Sequence, residues 1–396
     1  MGTAWDPIEP VIDHTGVTVA SVWRDRDGTI LLPFDPGEII QNYWSEAYRA
    51  AGEQAATRLL KSALLHAYYR VKPAVPRAQQ IRLRRLFSSL QRKAAFPGWP
   101  VEDALHDLLA WLFAIVVELA GTKVPWIDLW PDGYSWAIVL THDVETAEGC
   151  ANIDQLRDIE RAHGYRSSWN FVPERYAVDP EVLAALRKED CEIGVHGLRH
   201  DGRDLASRRS LKIRLPRMRA YAERWQAVGF RSPATQRNWD LMPRLGFTYD
   251  SSYPDTDPYE PQAGGCCSLL PFMNRELVEI PITLPQDHTL FVILEGRYGD
   301  IWIEKTEHVR SRRGMALALT HPDYAADGRI TAAYERLLRH FRDDRSAWRP
   351  LPAELAAWWI RRSRSIVEPG TDGGWTISGP AATAGRVRLS ERLEER

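Results

Sequence analysis

Across residues 135–365, short apolar runs alternate with stretches of helical period. The candidate strands are Trp136–Leu140, Ser167–Val172, Glu192–Val195, Gly229–Arg231, Phe247–Asp250, Val278–Ile282, Leu290–Leu294 and Met315–Leu319. Brief runs rich in Val and Ile read as strands buried on both faces. Helical periodicity falls at Ile153–His163, Pro180–Lys188 and Leu211–Val228, and after the last run at Ile330–Arg342 and Pro352–Arg362. Strands that alternate with helices predict an α/β architecture around a parallel sheet or barrel.

The flanking regions have other patterns. Val17–Trp23 and Thr29–Leu32, separated by a stretch that ends in Asp27-Gly28, read as a hairpin. From Pro36 the period becomes helical: Ile39, Ile40, Tyr43, Trp44 and Ala47 recur, and Leu59, Leu60, Ala63, Leu64 and Ala67 continue it. Pro73 and Pro76 interrupt this pattern before a basic amphipathic helix over Ile81–Arg92. After the break at Pro97-Gly98-Trp99-Pro100, Val101–Leu119 predicts another helix with Leu105, Leu108, Leu109, Leu112 and Val116 on one face. A Gly-rich break at Gly370–Gly374 precedes a short β-like tail, Trp375–Ser378. The expected division is a hairpin-plus-helices region over 1–134, an α/β region over 135–365 and a β-like tail over 366–396.

Composition mainly excludes. With 396 residues, 44% hydrophobic and 26% charged, the chain can bury a large core. A net charge of -2 gives no global attraction to nucleic acid or an anionic membrane, so no nucleic-acid partner is expected. Local basic clusters such as Arg82–Arg85 and Arg361–Arg364 read as solvated helix faces. The first residues lack a basic segment followed by an apolar one, so no secretory leader is expected. Position 6 of the Met1-Gly2 start is Asp6, which does not suit a myristoylation signal. Leu108–Ala120 is too short to span a bilayer. These features predict a cytoplasmic protein without a membrane span. Four cysteines without a C-x-x-C pair read as reduced thiols, not as a zinc site. The 16 tryptophans read first as core aromatics and only second as sugar-stacking surfaces.

Chemistry collects where the apolar runs end, the place α/β folds use for their sites. Trp136-Ala-Ile-Val-Leu-Thr-His-Asp-Val-Glu145 ends in two carboxylates spaced i, i+2. Glu192–Val195 runs into His196 and His200, whose i, i+4 spacing suits zinc or a similar metal. Glu145 is a plausible third ligand, and two imidazoles with one carboxylate leave coordination positions open. Gly229–Arg231 brings an arginine that can hold a carboxylate bidentately. Phe247–Asp250 brings another carboxylate, and Met315–Leu319 leads into His321.

In this order the five stretches resemble the polysaccharide deacetylases, the NodB-homology domain of carbohydrate esterase family 4. Thr141-His-Asp143-Val-Glu145 is similar to that family's first motif, and His196 with His200 to its His-x-x-x-His. Arg231-Ser-Pro233 resembles its Arg-x-Pro, Asp250 with Tyr253 its Asp–aromatic motif, and Leu319 with His321 its Leu-x-His. The resemblance covers residues 135–325 and implies a distorted (β/α) barrel that follows a mainly helical N-terminal region and precedes a short C-terminal extension.

It also implies roles. Glu145, His196 and His200 would hold a divalent metal, zinc first, with cobalt, nickel or manganese as alternatives. Asp143 would be the base, Arg231 its positioning partner, and Asp250 the brace of Arg231. A backbone N–H near Ala234 would help stabilise the oxyanion, His321 would be the general acid, and Leu319 and Tyr253 would contact substrate. The implied reaction removes an N-acetyl (or O-acetyl) group from a sugar of a surface polysaccharide or its precursor, so the expected partner is a carbohydrate. The sequence departs from the family at Glu145 for Asp, Gly197 for Ser or Thr, Ala234 for Tyr and Tyr253 for Trp. His142 replaces an apolar residue and, one position along the strand from Asp143, should face away from it. Two other readings are a C–N hydrolase for a different amide and a catalytically silent glycan-binding barrel.

Overall fold

The computed structural model describes residues 5–13, 16–50, 79, 81–82, 84–85, 96–296, 300–371 and 373–391. The periodic stretch predicted over 59–67, its interruption at Pro73 and Pro76, and most of the basic helix predicted over 81–92 lie outside them.

The chain opens with a three-stranded antiparallel sheet, β1 (Trp5–Ile12), β2 (Thr18–Asp25) and β3 (Ile30–Leu31). The expected hairpin thus gains a strand on its N-terminal side. Asp25 shapes the β2–β3 turn by accepting from the N–H groups of Asp27 and Thr29. Helix Pro36–Trp44 starts at Asp35, whose carboxylate accepts from Gly37 and Glu38. Among the described residues of this region the longest helix is Ala104–Ala120. Its inner face uses Leu105 and Val117, whereas Val116, expected inside, is half exposed. Strand β4 (Pro125–Ile127) follows.

Next comes a nine-stranded mixed sheet. Its strands are β5 (Trp136–Val144), β6 (Ser168–Phe171), β7 (Glu192–Val195), β8 (Gly229–Phe230), β9 (Tyr249–Asp250), β10 (Phe272–Asn274), β11 (Leu277–Glu279), β12 (Met315–Thr320) and β13 (Ala347–Trp348). The order is β10-β11-β9-β8-β7-β6-β5-β12, with β13 also paired to β5. Every pairing is parallel except β10 with β11. Beyond β11 the chain reaches β12 without a ladder: Leu284 N donates to Leu317 O, and Thr283 Oγ1 donates to Met315 O.

Helices Ile153–His163 and Pro180–Lys188 form with the predicted bounds. Gly164 ends the first at φ +72°, a conformation that favours glycine, and Asp179 caps the second. Leu290–Leu294 is not a strand. His288–Ile293 forms a π-helical turn, because a short apolar run does not by itself distinguish a buried strand from a buried helix. After helices Ile301–Ser311, Gly328–Phe341 and Pro352–Ser363, the tail pairs β14 (Ile366–Pro369) with β15 (Trp375–Ser378) and returns β16 (Val387–Leu389) onto β4.

Strand alternation sorts the core into two clusters. Trp136, Ile138 and Leu140 of β5 face the packed helices, with Trp169, Phe230 and Tyr334. Ala137 and Val139 face the other side, with Tyr249, Val278, Leu317, Leu319 and Trp358. By the same alternation Thr141 and Asp143 belong to the second side and His142 to the first. This parity decides where each site residue points.

Candidate active site

The longest strand, β5, carries Asp143 near its carboxyl end, 2% exposed. Arg231, which follows β8, is 1% exposed and reaches across to it: Nη1 donates to Asp143 Oδ1 at 3.2 Å and to Thr141 Oγ1 at 2.9 Å. Asn170 of β6 donates to the same carboxylate oxygen at 2.9 Å. Gly194 on β7 makes that contact possible, since a Cβ there would lie 2.0 Å from Asn170 Oδ1. Burial pushes the Asp143 carboxyl up, but the nearby His196, Arg231 and His321 charges and the Asn170 donor hold it below the usual range. It is therefore ionised at neutral pH.

Glu145 lies two residues further on, in the turn that leaves β5. Asp323 holds that turn by accepting from Glu145 N at 2.9 Å and from the Thr146 hydroxyl. The Glu145 Oε1 atom lies 2.8 Å from His200 Nε2 and 3.9 Å from His196 Nε2. The ligand atoms of these three residues all fall within 4.8 Å of one another. His196 Nδ1 lies 3.0 Å from Arg231 O, so donation there leaves Nε2 with a free lone pair. Among the described residues, buried His196 Nε2 has no well-aligned hydrogen-bond partner, and the one close partner of buried His200 Nε2 is Glu145 Oε1 itself. Burial also lowers His200 below the ordinary histidine range, against the Glu145 charge, which favours the neutral, ligating form. Two buried imidazole nitrogens converging on one ionised carboxylate are a donor set that fits a divalent cation. His200 occupies φ +55°, a strained backbone for a non-glycine residue, at the position that brings its ring to Glu145.

His321 follows β12. The register pairs Thr320 with His142, which brings His321 level with Asp143. Its Nε2 lies 3.8 Å from Glu145 Oε1. On its other side Asp287 accepts from His321 Nδ1 at 2.6 Å and from the His321 backbone N–H at 2.7 Å. Burial alone would lower His321, yet Asp287, Glu145 and Asp143 push it up to about 10. It holds its proton at neutral pH.

Asp250 takes a different place from the one expected. Phe230 and Asp250 face the helices, while Arg231 points to the opposite side. Asp250 accepts from Ser252 N and Oγ, and Arg231 is braced instead by Ser251, through its carbonyl at 2.6 Å from Nε and its Oγ at 2.7 Å from Nη2. Asp250 instead sits against Glu279, itself bonded to Asn274.

Burial raises both carboxyls: Asp250 reaches about 6, held back by hydrogen bonds from Glu279 and Ser252, while the Asp250 charge adds to burial and lifts Glu279 well above its ordinary value. The folded state therefore keeps a proton that the unfolded chain has released, and stability falls as pH rises from the ordinary carboxylate range through about 6. Glu279→Gln keeps a hydrogen bond to Asp250 without a titrating group. Thermal melts from about pH 5 to about pH 8 should show its Tm gaining on the parent by about 2–4 °C per kcal/mol of relieved repulsion. Parallel Tm–pH curves for the two proteins would remove this explanation.

The other expected residues are placed as follows. Tyr253 is 1% exposed, edge-on to Phe272 and beneath the Arg237 guanidinium, within the core and not on an open surface. Leu319 is buried on the Asp143 side of the sheet. Ala234 sits at φ +51° in the turn Pro233–Thr235, half-buried. Gly197, at φ +63°, has no room for the Ser or Thr of the resemblance, because a Cβ would lie 2.5 Å from Asp204 Oδ2. His142 faces away from Asp143, stacks on Trp169 at 4.0 Å and bonds Glu160 and Thr320.

Sequence reasoning missed Asp287, Asn170 and Ser251. Asn170 stands in an apolar run next to β5, a buried polar residue that needed a partner. Asp287 precedes a helical turn, with no strand end to mark it.

No family model matches the chain, and no curated protein matches it. Solved structures do resemble it. A protein from Mycobacterium smegmatis described as a polysaccharide deacetylase is 19% identical, with 59% of this chain and 92% of that one covered, at a TM-score of 0.48. One from Pseudomonas aeruginosa with the same description is 17% identical, covering 58% and 92%, at 0.47. An allantoinase (Puue) is 16% identical, covering 58% and 92%, at 0.45.

Proposed function

We propose that the chain is a metal-dependent hydrolase that removes an N-acetyl, or O-acetyl, group from a sugar of a surface polysaccharide or its precursor. The observation that carries this reading is the convergence of Glu145, His196 and His200, with two buried Nε2 atoms facing one carboxylate, on a space flanked by Asp143 and His321. The parallel ladder, with Thr283 and Leu284 reaching β12, supports reading the sheet as a distorted (β/α) barrel.

Glu145, His196 and His200 would hold the cation, zinc by preference, with cobalt, nickel or manganese as alternatives. Such an ion supplies polarisation of the acyl carbonyl and acidification of a water. Asp143 takes the proton of the attacking water. Arg231 and Asn170 hold its Oδ1, which leaves Oδ2, 3.7 Å from His196 Nε2, turned toward the site. His321, charged and held at Nδ1 by Asp287, presents Nε2–H to the leaving nitrogen as general acid. Ser251 in turn keeps Arg231 in place. For an amide, acetate and a free amino sugar are released.

The test is acetate release from N-acetylhexosamine oligomers by protein stripped with a chelator and then resupplied with zinc or cobalt. Turnover should vanish on stripping and return with metal. A protein that binds one metal per chain and releases no acetate from any N- or O-acetylated sugar would overturn the reading.

A further inference from the structure

Arg175 stands at the mouth of the site without a part in acyl hydrolysis. Its backbone is pinned on both sides. Glu174 N donates to Leu198 O at 3.0 Å, the Glu174 carboxylate takes Arg199 Nε at 2.9 Å, and Tyr176 Oη donates to Val144 O at 2.6 Å. The loop is thereby tied to the ends of both β5 and β7, the strands that deliver Asp143 and His196. The Arg175 side chain itself is 34% exposed, and its Nη1 lies 3.5 Å from Glu145 Oε2, at the outer limit of a hydrogen bond.

That contact engages one of five guanidinium donors, and weakly. Among the described residues, two other arginines near the site are committed. Arg231 makes four hydrogen bonds inside the fold, and Arg214 is bound to Asp201 and Asp204. Glu145 also has little need of Arg175, because His200 and His196 already surround its Oε1. A fixed backbone carrying a guanidinium fork open to solvent beside the reaction centre is suited to receive a planar or tetrahedral anion. The adjoining surface has the same sign. Arg203, Arg208, Arg209 and Lys212 are exposed along the segment that leaves His200, while its two carboxylates, Asp201 and Asp204, are taken by Arg214 and its Arg199 is paired with Glu174.

We infer that Arg175 is a specificity-determining residue that binds an anionic group of the substrate, so that the sugar is an N-acylated one bearing a carboxylate or a phosphate. This inference rests on the deacylase reading for its substrate class. The cationic flank raises the local concentration of such a ligand, and Arg175 supplies the directed hydrogen bonds. A neutral sugar offers the fork only hydroxyl oxygens, which form weaker bonds than a charged acceptor.

The experiment is calorimetric titration of the zinc-supplemented full chain with N-acetylmuramic acid, N-acetylglucosamine 6-phosphate and neutral N-acetylglucosamine, in the parent, Arg175→Met and Arg175→Lys. The parent should prefer at least one anionic sugar by about tenfold or more, as a charge-assisted hydrogen bond predicts. Which of the two anions wins separates carboxylate from phosphate recognition. The preference should fall close to one in Arg175→Met and be partly kept in Arg175→Lys, and should weaken with added salt. A parent without preference, or an Arg175→Met variant that keeps the parent's ratio, would overturn the inference. Equal weakening of anionic and neutral sugars counts as the second case, since it shows Arg175 acting only through Glu145. Because binding needs no turnover, anion selectivity without acetate release sinks the deacylase reading alone, and acetate release without selectivity sinks this inference alone.

Discussion

Asp143→Asn is expected to lower kcat for acetate release by about 10²–10⁴-fold, the range that a positioned general base contributes. The substitution is nearly isosteric, so Asn170 and Arg231 keep a neighbour of the same shape, and the three metal ligands are untouched. Metal stoichiometry should therefore stay at the parent's value, and KM should change far less than kcat. A second effect accompanies the first. Asp143 is the carboxylate that pairs with Arg231, which is 1% exposed, so the variant leaves a buried guanidinium charge without its anion. Breaking a buried pair from one side costs about 3–5 kcal/mol, partly offset here by the four oxygen partners that Arg231 retains or finds in Thr141, Ser251 and the amide. The Tm should fall, so rates must be referred to folded, metal-loaded protein. If such normalised rates stay within a few-fold of the parent, Asp143 is not the base.

The sequence shows unequal parts of this arrangement, for identifiable reasons. Strand β5 is legible because it is buried on both faces, which writes Trp136–Leu140 as an unbroken apolar run with polar residues where it stops, and β7 is legible from Ile193 and Val195 running into His196. Helices Ile153–His163 and Pro180–Lys188 were legible to the residue because a glycine ends one and an Asp-Pro pair starts the other. Leu290–Leu294 was not, since length and apolarity alone leave strand and helix open.

Asp250 illustrates a subtler failure. Its position after an apolar run was visible, but the side of the sheet it faces is set by register in a strand of two residues, where alternation has too few positions to show itself. One residue of parity separates a brace for Arg231 from half of a buried carboxyl pair with Glu279, and Ser251 takes the role instead. Asp287 is a long-range partner of His321, 34 positions away, and no local pattern announces it. Gly197 shows the reverse case: a residue that looked like a departure is explained by a left-handed backbone and a crowded Cβ position.

Glu145 joins the sequence argument to the structural one, and it carries the second large effect. His196→Ala and Glu145→Ala should each weaken zinc binding by more than about 100-fold, beyond the 10–100-fold that loss of an outer-shell partner costs. The more informative variant is Glu145→Asp, which restores the acidic residue that the resemblance leads one to expect. In this fold the turn after β5 is fixed by Asp323, and the longer side chain is what brings Oε1 to 2.8 Å from His200 Nε2. Removing a methylene withdraws the carboxylate from both imidazoles while the backbone stays tied. Glu145→Asp should therefore bind zinc about 10–100-fold more weakly than the parent, the scale of a displaced coordination partner, although it looks like a reversion. Competition with a chromophoric chelator measures this directly. Melts supply an independent reading, because a ligand at 100 times its Kd adds about 2.7 kcal/mol to stability, and that gain should shrink in Glu145→Asp and vanish in His196→Ala. If Glu145→Asp binds zinc as tightly as the parent, the ion does not depend on the reach of Glu145, and the three-residue centre has the wrong acidic member.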